Sequence, residues 1–423
     1  MRTLRQLWNS WILWVATAVL FCLSGAVAQT SYKVTDLGTL PNDNLGCAMA
    51  LNNQGWTLIM TGNVVPAEKL SSSGTLLNGR AVIDIDGVKT DLGTLGGPNS
   101  WMNWGAINDH GQVVGMAETV APDPNDENIC QFATGLQCRP FLWQNNNMSA
   151  LPTLGGNNGQ ASQINNRGQI AGTAETPDLD AGCPASAPHV ISLPVLWEQG
   201  KPRTLPTVGG DPDGFAMAIN DQGHAVGFSG TCTAALHGLL WENGTVVLLP
   251  DLGTGAIAES INDRGQIAGI IGSADGTTEF GALWQNGVLT NLGTLPGDFA
   301  AIATGINNRG QVVGSTLDSG FNWSHTFIWQ DGVMTSLDTL FPETSNLFPV
   351  MANKINERGQ ISGMAIVLSG PHTGDIHAFL ATPVNASIGR SVADVAPAHP
   401  QANMPANLRK QLLQRLGLRR LER

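Results

Sequence analysis

The side chains best placed to do chemistry lie in three long polar stretches: Glu68 and Lys69, then Asp123, Asp126 and Glu127, then Asp178 and Asp180. Carboxylates grouped in this way attract cations, basic surfaces or hydroxyl-rich ligands. Calcium is the one cofactor the run from Asp123 to Asn128 suggests, but its spacing matches no established calcium loop. No CxxC pair or HExxH helix offers another metal site, and no cofactor is expected. No Ser, His and Asp constellation or carboxylate pair stands out as catalytic; the eight His are mostly repeat positions or isolated loop residues.

Loops of this kind need a regular frame, and the chain supplies one. Asn52, Asn108, Asn165, Asn220, Asn262, Asn307 and Asn356 each follow Leu or Ile and precede two polar residues and a Gly, as in Ile261-Asn262-Asp263-Arg264-Gly265-Gln266-Ile267. This spells a β-hairpin: Asn bonds its side chain to the backbone two residues on, and Gly supplies the positive φ that closes the turn. The seven Asn are therefore expected to be turn residues, with a structural role.

The rest of each unit repeats in order. An apolar segment ends in Trp143, Trp197, Trp241, Trp284 or Trp329, with weaker copies ending at Asp84 and Ala381. A tight turn such as Asn243-Gly244, Asn286-Gly287 or Asp331-Gly332 follows, then a strand closing in Leu-Gly-Thr-Leu or a relative. Ala48, Ala161, Ala216, Ala258, Ala303 and Ala352 stand four places ahead of their Asn, with Trp104 the exception, so this strand is read as the innermost, where crowding admits only a methyl. Four short antiparallel strands every ~51 residues, seven times over, predict an all-β fold: a seven-bladed β-propeller of four-stranded blades. The chain opens on a last-type strand at Tyr32 to Leu37 and closes on a third-type strand at His377 to Leu380, so pairing the two should complete one blade.

The ends differ in kind. Residues 1–28 carry Arg2 and Arg5, an apolar run from Trp11 to Leu23 and Ala26-Val27-Ala28, the pattern of a secretory signal peptide too short for a membrane span. The propeller occupies 29–383, a linker rich in Ala, Pro, Ser and Asn occupies 384–406, and 407–423 forms a basic tail with Leu408, Leu412 and Leu416 at helical spacing. Residues 29–383 hold 12 basic against 31 acidic side chains, a net charge of −19 that disfavours nucleic acid as a partner. A secreted monomer, extracellular or periplasmic, is expected. Export permits disulfides, and the spacing favours Cys130 with Cys138 and Cys183 with Cys232, leaving Cys47 as a buried thiol.

The units resemble those of the extracellular HAF repeat family of bacterial secreted proteins, whose label matches His377-Ala378-Phe379 and whose consensus is similar to the LGTLGG and IN..GQVVG segments. The resemblance covers residues 31 to 382 and implies no catalytic residues. The label His recurs at His237 and His325, while Arg80, Arg139, Leu193 and Phe280 hold the equivalent places, which points to packing or capping rather than ligation.

Blades differ most between their second and third strands. These loops are long in the first three units, Gly62 to Arg80, Gly115 to Arg139 and Gly172 to Leu193, and short later, as from Gly269 to Phe280. They contain all seven charged residues named first and must emerge on one face. Trp56, Trp101, Trp104 and Trp323 fall outside the repeat; burial is the expected fate of most, and any left exposed would stack on sugars. The functional expectation is an extracellular binding scaffold for glycan or envelope protein, with an envelope hydrolase or lyase and a structural matrix protein as alternatives.

Overall fold

A computed structural model describes residues 31–384, apart from 65–75, 104, 128, 131, 184–188, 233, 321–322 and 343–344. The signal peptide, the tail, Glu68, Lys69 and Trp104 lie outside the described residues.

Twenty-eight strands and a single 3-10 turn, Leu337–Thr339, make up the described regular structure. They form five four-stranded sheets and one of eight strands. The larger sheet divides at a single parallel bridge, Leu45 to Ile376, into two four-stranded halves, so the chain builds seven four-stranded blades. Six are continuous in sequence, spanning 45–91, 96–150, 159–204, 213–248, 256–293, 300–336, each an up-and-down meander. The seventh combines Leu347–Ile355, Ile361–Val367 and Ile376–Val384 with the N-terminal strand Ser31–Gly38, which pairs antiparallel to Ile376–Val384. The expected closure between the two ends is therefore the one observed.

Burial follows strand order. The innermost strands Leu45–Leu51, Ala300–Ile306 and Leu347–Ile355 are buried at every position, because they face a neighbour on both sides and the axis at the edge. The outermost strands are only four residues in several blades, as at Lys201–Thr204, and largely exposed; short edges of this kind resist pairing with another chain. Trp from one third strand clamps the preceding blade: the indole N–H of Trp197, Trp241 and Trp284 donates to the carbonyl of Pro152, Pro206 and Pro250 at 2.7–2.8 Å.

The small residue four places before each Asn has a more local cause than crowding at the axis. In five blades it pairs with a Gly across a register shift, as Ala303 with Gly314, and a Cβ on Gly314 would sit 2.0 Å from the Ile302 carbonyl oxygen. The bulge also turns the next side chain toward the adjacent blade. Ser162, Thr304 and Asn353 donate to the carbonyls of Ala216, Ala352 and Ala48 at 2.6, 2.7 and 2.9 Å.

Candidate functional site

Second strands of ten residues, Val113–Pro122 and Ile170–Leu179, raise the second and third blades above the fifth and sixth, where Ile267–Gly272 and Val312–Leu317 have six. Each continues as a ribbon with its third strand, ending in the pairs Pro122 with Leu136 and Leu179 with Val190. Val120 and Leu179 stand on these ribbons 76% and 57% exposed. Connections between second and third strands leave the face opposite the Asn turns, so the long loops share one face.

Those loops are tied together by buried polar groups. Asp123 Oδ2 accepts from the amide N–H of Glu127 and from Asn158 Nδ2, both at 3.0 Å, and Asn158 also reaches Glu175 Oε1 at 2.9 Å. Glu127 Oε1 accepts the Val190 N–H at 2.9 Å and lies 3.5 Å from His189, whose other ring nitrogen is 3.1 Å from Asp213 Oδ1. Burial pushes the Glu127 carboxyl up to about 7, with the negative charges of Glu175 and Asp123 adding to it against the Val190 bond and His189. Burial likewise raises Glu175 despite three donors, and the Asp213 bond raises His189. Asp123 and Glu127, read from sequence as candidate ligand contacts, thus point inward and hold the loop. Asp126 and Asp178 are exposed and Asp180 half-buried, so the structure places these three at the surface.

The same loop caps the axis. Phe132 packs edge-on against Trp101 with ring centroids 6.2 Å apart, and Cys130 and Cys138 join an apolar cluster that takes in Met49, Met217, Ile302 and Met351 from around the ring. Trp101 and Trp323 are buried and Trp56 half-buried. Cys130 stands against Cys138, and Cys183 against Cys232, at disulfide distance with Cα separations of 5.6 and 6.2 Å; Cys47 is a buried thiol.

At the opposite end the seven Asn do more than turn the chain. Each accepts from its own turn through Oδ1, as Asn165 does from Arg167 and Gln169 N–H, and each donates through Nδ2 to the backbone carbonyl of the next Asn around the axis. The seven inter-blade bonds, 2.9–3.2 Å, run from Asn52 through to Asn356 and back to Asn52. A second ring is stacked on it: the N–H of Asn53, Asp109, Asn166, Asp221, Asp263, Asn308 and Glu357 each donates to the side chain of the following member, at 2.7–3.0 Å. Both rings close.

These rings surround a funnel of about 120 Å³ with Gln163 and Lys354 in its lining. Lys354 reaches across the glycine-bearing sixth blade to Ser260 Oγ at 3.1 Å, and burial draws its ammonium down to about 8. Glu259, fully buried near it, is pushed up to about 8 by the same loss of water. Superposing the repeats shows Glu259 where other copies carry Met, Gly, Ser, Thr or Asn, and Lys354 where they carry Ala, Gln, Ser or Gly, but neither residue type alone marks the axis.

The His of the label pairs with Asp in each blade that has it: His237 with Asp211 at 2.7 Å, His325 with Asp298 at 2.9 Å, and His377 with Asp36 at 2.9 Å. Asp211 and Asp298 lie in the segments that join one blade to the next, and Asp36 lies in the strand Ser31–Gly38 that closes the seventh.

No family model matches the chain, and no curated protein does. Among solved structures it is similar to virginiamycin B lyase from Staphylococcus aureus, at 10% identity over 84% of this chain and 100% of that one, with a TM-score of 0.46. A streptogramin B lyase gives 8% identity over 84% and 98%, TM-score 0.47. The β-propeller domain of the Trilobed protease from Pyrococcus furiosus gives 11% over 73% and 95%, TM-score 0.41. Likeness at this level concerns the fold alone.

Proposed function

We propose that this chain is an exported extracellular binding scaffold of the HAF-repeat kind, engaging a glycan or envelope component through the face that bears the long loops. The observation that carries the reading is the asymmetry of that face. Two ribbons rise on the second and third blades, they hold Val120 and Leu179 in water, and a polar network spanning three blades fixes them. A site held rigid before its ligand arrives loses little entropy on binding.

Shortening the 123–135 loop would not test this cleanly, because Phe132 and Cys130 belong to the core. The test is co-sedimentation of the full chain with insoluble cell-wall and extracellular polysaccharides, beside a variant combining Val120→Ser, Asp178→Asn and Leu179→Ser. Binding by the wild type, lost in a variant of unchanged melting temperature, is the expected result. Equal binding by both, no binding to any preparation, or turnover of a substrate overturns it.

A further inference from the structure

The loop Leu368 to Asp375 of the seventh blade emerges on the same face as the long loops and carries His372, Asp375 and, at the start of the next strand, His377. One ligand atom from each of the three lies within 4.8 Å of the others. His372 Nδ1 is 3.1 Å from Asp375 Oδ2, and the two imidazole rings are 5.6 Å apart.

The chemistry of the set is specific. Two imidazoles and one carboxylate suit a borderline divalent transition cation, zinc above all, whereas calcium and magnesium take oxygen only. His377 is also oriented for the task. Its Nδ1 is held by the Asp36 carboxylate at 2.9 and 3.0 Å, which fixes the proton there and leaves Nε2 as the free lone pair.

The loop's backbone is tied down. Asp375 N–H donates to the His372 carbonyl at 2.9 Å, Val367 N–H to the Asp375 carbonyl at 3.0 Å, and Gly374 N–H to the Val367 carbonyl at 2.9 Å. The ligands therefore start as neighbours. Donor atoms in a tetrahedral zinc site stand about 3.3 Å apart, from bonds of ~2.0 Å, against the 4.8 Å within which the three lie here, and the His372 side chain is 62% exposed. The other such trio among the described residues, Asp180, Cys183 and Cys232, pairs its two sulfurs with each other and cannot offer thiolates.

We infer that His372, Asp375 and His377 form a binding site for one zinc-class divalent cation, with Asp36 as the positioning residue behind His377. The fourth coordination place falls to water or to a donor atom of a bound ligand.

The experiment uses the untagged full chain, stripped with chelator and titrated with Zn²⁺ by calorimetry, with Co²⁺ absorption reporting the ligand field. One equivalent is expected. His372→Ala, which alters an exposed side chain, should abolish that equivalent at unchanged melting temperature, and Asp36→Asn should weaken it about 10–100-fold while keeping the stoichiometry. Absence of a stoichiometric Zn²⁺ site, or His372→Ala binding Zn²⁺ like the wild type, overturns the assignment. Calcium binding at the same site in place of zinc overturns it as well.

Discussion

Asn356 Nδ2 donates to the backbone carbonyl of Asn52 at 2.9 Å across 304 residues of sequence, and this bond closes the ring of Asn that links the blades. The other six links are the same bond between consecutive blades, so each Asn has two separable duties, one inside its turn and one toward its neighbour.

Asn165→Asp separates them. The carboxylate keeps the two acceptances from Arg167 and Gln169 N–H but brings an oxygen against the Asn220 carbonyl and the Gln169 amide oxygen. Loss of the inter-blade donor should lower stability by about 1–3 kcal/mol, and Asn165→Ala, which removes both duties, by at least as much. Denaturant midpoints measure this; an Asp variant as stable as the wild type would show that the inter-blade bond contributes nothing.

Glu259 makes the fold sensitive to alkali. Its carboxyl ionises at an ordinary value of 4.5 when unfolded and at about 8 when folded, so between these limits the native state holds more protons and stability must fall as pH rises. The slope approaches about 1.4 kcal/mol per pH unit. Lys354 acts in the reverse sense: its value drops from 10.5 to about 8, so its contribution is present above 10.5 and lost as pH falls through the interval. Glu259→Gln should therefore gain on the wild type steadily from pH 5 to 8 in thermal melts. Parallel melting curves across that range would refute a buried neutral Glu259.

Removing Gln29 to Leu40 should loosen the whole molecule. The deletion strips the ladder from Ser31 to Gly38, buries Tyr32 and Leu37 no longer, and bares the edge of Ile376–Val384. Several kcal/mol are at stake at ~2–3 kcal/mol for each buried large side chain, a fall of roughly 10 °C in melting temperature. A melt identical to the full chain would mean that the seventh blade stands on three strands.

Peptide mapping without reductant should recover Cys130 linked to Cys138 and Cys183 linked to Cys232, with Cys47 alkylated only after denaturation. Cys47 is 1% exposed between Met49 Sδ and Asn353 Nδ2, which keeps reagents out. A bridge to Cys47 would contradict the assignment.

The blades, the innermost strand and the closure were legible in the sequence because turns, alternation and small residues are local signals that recur in phase. The Asn were legible only in half their role. A turn rule already accounts for Asn and Gly, so nothing in one copy announces that Nδ2 reaches the next blade. Asp123 and Glu127 misled for a related reason: an acidic, Pro-containing loop reads as surface, while the partners that bury it, Asn158 and His189, lie 35 and 62 residues away. Asp36 and His377 are farther apart still, at 341, and only the closing strand brings them together.

That closing strand also sets an order of events in time. The segment Ser31–Gly38 is synthesised before its partner Ile376–Val384, so it must wait for almost the entire domain before it can pair. Contacts of such long separation form slowly, because the intervening chain has to be gathered first. Until then the last blade offers a bare edge, and afterwards unfolding has to break the ring at one of seven equivalent joints. The same strand that delays folding therefore slows escape from the folded state, and a slow final refolding phase that disappears when Gln29 to Leu40 are deleted would be its kinetic signature.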